Sequence, residues 1–244
     1  MDLRIRTLSI NKSLSAIEDL VLPRVCVVCG RPLIPQEKHI CSACIADMPL
    51  TNFSRSAHND MADKFNARIK DKRYCYACAL YYYNDESGYR NISKALKYGR
   101  NFKAGRYFGK MLGEEIAASE LFGDVDLIIP VPLHWTRRWK RGYNQAEIIA
   151  SEVARTTGAA FETDILERIR RTKTQTRQSR EEKERNVKDA FKARGGIEVK
   201  RSHILIIDDI FTTGSTLAEC HKAIRSITGE ETRISVASLG YVGR

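Results

Sequence analysis

Residues 204–216 read ILIIDDIFTTGST, two adjacent carboxylates followed by hydroxyl side chains around one glycine. Ile204 to Ile207 form the unbroken apolar run expected of a strand buried on both faces. Asp208 and Asp209 therefore fall at its carboxyl end, the edge of an open parallel sheet where ligands bind. Thr212, Thr213, Gly214, Ser215 and Thr216 lead into a segment whose Leu217, Cys220, Ile224 and Ile227 share a helical face. Such a loop brings backbone N–H groups and hydroxyls to a helix N-terminus, where an anion is favoured. No lysine follows Gly214 as in a Walker loop, and G-x-G-x-x-G is absent. A ribose 5-phosphate matches what remains: the carboxylates accept from the 2′ and 3′ hydroxyls while the loop wraps the phosphate. The plain alternative is a strand, a turn and a capped helix without a ligand.

Two further groups of residues carry chemistry. Cys26, Cys29, Cys41 and Cys44 form two C-x-x-C pairs separated by eleven residues, and Gly30 permits the left-handed turn such a knuckle uses. Four thiolates fill a tetrahedral shell with no open position, so structural zinc is expected; buried or redox-active thiols are the alternative. Cys75 and Cys78 share the spacing but lie in YCYACALYYY, a strand-like run that points them to opposite faces, and read as packing residues. The second group is IIPVPLHWTRRWKRGYNQA (128–146), an apolar strand opening into a loop with Arg137, Arg138, Lys140 and Arg141. That charge suits a pyrophosphate at the same sheet edge. His134 lies in this loop and reads as a structural or anion-contacting residue. The mixed-charge stretch 168–191 is either a lid or a solvated helix, and charge alone favours the helix.

Elements that must position these groups follow from periodicity. Helical patterns (SKALKY, AGRYFGKMLGEEIAASELF, NQAEIIASEVARTTG, STLAECHKAIRSITG) alternate with short apolar runs (CYACALYYY, DVDLIIPVPL, HILIID, RISVASLG), which predicts βαβ crossovers. The expected fold is α/β, a mainly parallel sheet with helices on both faces, preceded by a small N-terminal zinc-binding module. Residues 1–72 are read as a helix at 13–22, the zinc module and a polar linker carrying one or two helical turns, and residues 73–244 as the α/β domain. The 244-residue chain is 43% hydrophobic, enough for a core, and its net charge of +11 favours polyanionic partners. Charges interrupt every apolar run before the roughly 18 to 20 residues of a membrane span, and break up the N-terminal segment, so no span, no export signal and a cytoplasmic location are expected.

IIDDIFTTGST resembles the phosphoribosyl-pyrophosphate (PRPP) signature of type I phosphoribosyltransferases. The resemblance implies that Asp208 and Asp209 hold the ribose hydroxyls while Thr212, Thr213, Gly214, Ser215 and Thr216 bind the 5-phosphate. CxxCG…CxxC, LKYG (96–99), PVPLH…RGYNQ, T-x-x-Q with a later NV…AF, and the PRPP signature together resemble the ComF family from end to end. Its members are associated with natural competence and the handling of incoming single-stranded DNA, and are often labelled amidophosphoribosyltransferases. The resemblance implies Arg137, Arg141, Asn144 and Gln145 at the pyrophosphate edge, Gln175 and Asn186 in a covering segment, and Mg²⁺ bound with PRPP. Lys183 departs from the arginine usual three residues before that asparagine, exchanging a bidentate contact for a point charge. Two functions stay open: phosphoribosyl transfer to a nitrogen acceptor, or single-stranded DNA binding with PRPP as a regulatory ligand or unused, alongside competence-machinery proteins. A purely structural zinc-bearing adaptor would leave the acids and loop unexplained.

Overall fold

The computed structural model describes residues 24–99, 101–170, 187–194 and 201–243. The expected helix at 13–22, and Gln175, Lys183 and Asn186, lie outside the described residues. The chain divides into two compact units, Met1–Met48 and Pro49–Arg244. The first holds a short helix, α1 (Ser42–Ala46), started by the Cys41 side chain, and an antiparallel bridge between Val25 and Pro32.

In the second unit the polar stretch before residue 73 folds into α2 (Asp60–Asn66). Asn59 caps it by accepting from the Met61 and Ala62 N–H groups, and its amide donates to the Ala77 carbonyl at 3.0 Å. Met61, Ala62 and Phe65 are buried, so the helix is held by an apolar face together with these polar ties. β1 (Ala77–Tyr82), α3 (Arg90–Tyr98), α4 (Phe102–Ala117) and β2 (Leu127–Pro130) follow. Then come α5 (Trp135–Arg141), α6 (Gln145–Thr157), β3 (Ala160–Phe161), β4 (Leu166–Arg168), β5 (Phe191–Ala193), β6 (His203–Phe211), α7 (Ser215–Arg225) and β7 (Arg233–Tyr241).

Five strands form one sheet in the order β1-β7-β6-β2-β3 with every pairing parallel, and β4 pairs antiparallel with β5. β6 is buried continuously from His203 to Ile207, as a strand covered on both faces must be. A glycine stripe sets the helical layer on one side. A Cβ on Gly109 would stand 3.1 Å from the Ile149 carbonyl oxygen, and one on Gly113 would stand 2.8 Å from Thr156 Cβ. Only hydrogens at these positions let α4 lie this close against α6.

Topology locates the crevice. From β2 the chain crosses to β3 on one side of the sheet order, and from β6 it crosses to β7 on the other. β2 and β6 are direct neighbours, with Pro130 paired to Ile207, so the carboxyl ends of these two strands flank a switch point. At the opposite end, His203 is held by Asp124 at 2.6 Å and Ser235 at 2.7 Å, which satisfies both ring nitrogens away from the crevice.

Candidate ribose-phosphate site and cysteine cluster

Asp208 and Asp209 stand at the crevice edge of β6, as the apolar run before them requires. The Asp209 N–H donates to Asp208 Oδ1 at 2.8 Å. Burial, and then the neighbouring Asp209 charge, push the Asp208 carboxyl up to about 7. Asp209 pairs with Lys97 Nζ at 2.6 Å and accepts from Ser93 Oγ at 3.4 Å. Burial pulls Lys97 down, but the attraction of Asp209 and Asp208 outweighs it, and the ammonium is held above its ordinary pKa. Near neutral pH the pair thus contains, in Asp208, one carboxyl with a proton to share.

The loop turns at Gly214, whose φ of +77° makes it the left-handed cap of α7. A Cβ there would lie 2.6 Å from the ring of Phe211. Thr213 and Ser215 hydroxyls lie 2.8 Å apart, and the Ser215 N–H points to Thr213 Oγ1 at 3.4 Å. With Asp208, the loop Thr212–Thr216 lines a cup of about 20 Å³ at the α7 N-terminus, and hydroxyls and N–H groups there suit a phosphate.

Across the crevice, the loop after β2 is built from side chains turned inward. Asn144 caps α6 by accepting from the Ala146 N–H, and its Nδ2 donates to the Val131 carbonyl at 2.9 Å. Gln145 Nε2 donates to the Leu96 carbonyl at 3.4 Å, and the Tyr143 hydroxyl donates to the same oxygen. Asn144 and Gln145 are only 2% and 3% exposed. Arg141 donates to Gln145 Oε1 at 3.1 Å and lies over the Tyr98 ring at 5.9 Å. His134 caps α5 through Thr136. The Arg137 and Lys140 side chains lie outside the described residues.

Sequence reasoning gave LKYG no chemical role. In the fold the Leu96 carbonyl anchors Tyr143 and Gln145, Lys97 pairs with Asp209, and Tyr98 faces Arg141, so one short segment joins both walls. The helical spacing of Ile92 and Leu96, buried beside Ser93, was the available signal, since Lys97 lies one turn beyond Ser93. Trp135 and Trp139, one helical turn apart on α5, are 71% and 87% exposed.

In the first unit the sulfurs of Cys26, Cys29, Cys41 and Cys44 all lie within 4.8 Å of one another. Cys29 and Cys41 Sγ are 3.8 Å apart, matching the separation of about 3.8 Å set by a tetrahedron with Zn–S bonds of about 2.3 Å. Cys26 accepts the Cys41 N–H and Cys41 accepts the Cys44 N–H, each at 3.4 Å. Burial alone would raise the Cys26 thiol, but backbone hydrogen bonds from Cys29, Cys41 and Val28 bring it down to about 7, towards the thiolate that a metal requires. Gly30 has φ +78°, as the knuckle demands. The four thiols fit structural zinc.

Cys75 and Cys78 are buried, and burial followed by Asp71 pushes the Cys75 thiol up to about 12. Cys75 lies 3.6 Å from His221 Nε2, which is 2.8 Å from Asp71 Oδ2. Arg225 donates to that same oxygen at 2.7 and 3.0 Å, so its charge is already met and the group ties residues 71–75 to α7.

Residues 17–79 match the family model of a double zinc ribbon domain, and residues 140–240 that of a phosphoribosyl transferase domain. Competence protein F of Haemophilus influenzae is 36% identical over 45% of this chain and 48% of its own length. DNA utilization protein YhgH of Salmonella typhi is 33% identical over 51% of this chain and 55% of its own. The chain thus spans about half the length of these relatives, whereas YhgH of Escherichia coli O6:H1 is 27% identical over 82% of this chain and 90% of its own. With its parallel α/β sheet and four-cysteine cluster, the chain is similar to these competence and DNA-utilization proteins and matches a phosphoribosyl transferase domain over residues 140–240.

Proposed function

We propose that the crevice between β2 and β6 binds PRPP with Mg²⁺ and serves phosphoribosyl transfer to a nitrogen acceptor. The observation that carries this reading is the placement of the Asp208–Asp209 pair and the phosphate-type loop on one strand end beside a topological switch point. Asp209, paired with Lys97, accepts from one ribose hydroxyl, while Asp208 hydrogen-bonds the other. Thr212, Thr213, Gly214, Ser215 and Thr216 hold the 5-phosphate. Arg137 and Arg141 carry charge to the pyrophosphate side, and Asn144 and Gln145 position that wall from within. Gln175 and Asn186, outside the described residues, are assigned by the same proposal to the pyrophosphate.

Two adjacent carboxylates are hard oxygen donors that fit magnesium, which when bound supplies neutralising charge for the diphosphate. The protein's own share is positioning and electrostatic preorganisation. The names of the relatives support a role in competence and DNA use; a cytoplasmic location and competence-machinery proteins as partners are part of the same proposal. Titration calorimetry with PRPP and Mg²⁺ should show saturable binding that Asp208→Asn with Asp209→Asn abolishes. Pyrophosphate release should then depend on one member of an acceptor panel; binding without any release would leave a ligand site and no enzyme.

Exposed Trp135 and Trp139 beside Arg138 favour a second role, stacking of single-stranded DNA bases. The double-asparagine protein should keep salt-sensitive oligonucleotide binding, and Trp135→Ala with Trp139→Ala should weaken it.

A further inference from the structure

Two neighbouring carboxylates at a strand end repel one another, and in this protein a lysine rather than solvent meets that charge. Lys97 Nζ stands 2.6 Å from Asp209 Oδ2, with the two side chains only 27% and 15% exposed. Lys72 and Glu230 make a pair of similar length, 2.7 Å, but in open solvent, where such a pair counts for little. Ser93 Oγ donates to the same Asp209 oxygen at 3.4 Å, so α3 meets the acid with two groups one helical turn apart. An ammonium is a compact point charge, and here it sits on a carboxylate oxygen of the kind a hard divalent cation takes.

Lys97 also has another place to go. The turn of α3 that carries it is fixed to the opposite wall of the crevice. There the Leu96 carbonyl accepts from Tyr143 and Gln145, and Arg141 lies over the Tyr98 ring. With the backbone held at that point, movement of the charge falls to the four-carbon stem. The root of the side chain lies between the acids and the Arg141 wall, so its ammonium can exchange Asp209 for an anion on that side.

We infer that Lys97 is a positioning residue that stands in for the divalent cation on Asp209 in the ligand-free protein, and turns to the diphosphate once that cation and PRPP are bound. The second half rests on the crevice reading above; the competition between ammonium and cation for Asp209 does not. Its consequence is an order of binding. While Lys97 holds the acid, a divalent cation alone binds weakly, and the coupling between the two charges is reciprocal.

The test uses the full chain and Mn²⁺ alone, read from the electron paramagnetic resonance of the free ion, in Lys97→Met and Lys97→Arg. Lys97→Met keeps a flexible unbranched stem without the charge. It should bind Mn²⁺ about tenfold more tightly than the wild type, and adding Asp209→Asn should erase the gain. Lys97→Arg retains the charge and should match the wild type, which a merely structural role does not require. If Lys97→Met melts below the parent, Lys97→Gln takes its place. Equal Mn²⁺ affinity in the wild type and the uncharged variant, or a gain that survives Asp209→Asn, overturns the inference. With Mg²⁺ present, Lys97→Met should also weaken PRPP binding about tenfold, the loss expected for one charge-assisted hydrogen bond. Unchanged PRPP affinity overturns the transfer to the diphosphate. If the wild type binds no PRPP, the crevice reading falls, while the Mn²⁺ comparison still decides the role of Lys97.

Discussion

The two walls of the crevice are built by opposite means. On the β6 side a contiguous stretch of about ten residues does everything: strand end, two acids, a left-handed glycine and a helix start. On the β2 side the polar residues of RGYNQ turn inward, and Tyr143 and Gln145 reach a carbonyl 47 and 49 residues away in sequence. One wall presents its groups to the crevice, and the other buries its groups to hold shape. Asn144 and Gln145, expected at the pyrophosphate edge, thus have side chains already engaged by the scaffold.

The strongest way to break the contrast is Gly214→Val. It forces a β-branched residue to positive φ and into the Phe211 ring, which should cost about 3 kcal/mol and abolish phosphate binding. Chemical denaturation reads the first and calorimetry the second; retained phosphate affinity would show that the turn is dispensable. Next is Asn144→Ala, which removes a helix cap and the donor to a buried carbonyl, a loss of about 2 kcal/mol in a urea titration. A drop in ligand affinity without a drop in stability would instead make Asn144 a ligand contact.

The smallest effect concerns pH. Asp208 has its folded pKa raised, so its contribution to stability is fully present below about 4 and is lost as pH rises through about 7. Asp208→Asn should therefore melt a few degrees above the wild type at pH 8, with the gap closing towards pH 4, as calorimetric scans will show. A constant gap at every pH would mean that the carboxyl titrates normally.

Much of the β6 wall was legible in the sequence because its determinants are local. A buried strand announces itself by an apolar run, a left-handed cap by glycine, and an S₄ cluster by paired C-x-x-C spacing. The parallel sheet followed from alternating periods. Less legible were α2, whose pattern is diluted in a polar stretch, and Lys97, one lysine among many in a basic chain. The close approach of α4 and α6 was written in Gly105, Gly109 and Gly113, but a small-residue stripe names no partner until the helices are packed.

By itself, then, the sequence determined the order of elements, the strand end carrying Asp208 and Asp209, and the four thiols that converge. These depend on backbone preference and on spacings of a few residues, which chain connectivity enforces. Tertiary structure alone decided that Lys97 meets Asp209, that RGYNQ faces inward, and that Lys64 and Arg68 line a cavity with Thr212 and Thr213. Those pairings join residues far apart in the chain. Their geometry is set by how the crossovers stack the helices on the sheet, a property of the packed core that no local window of residues contains.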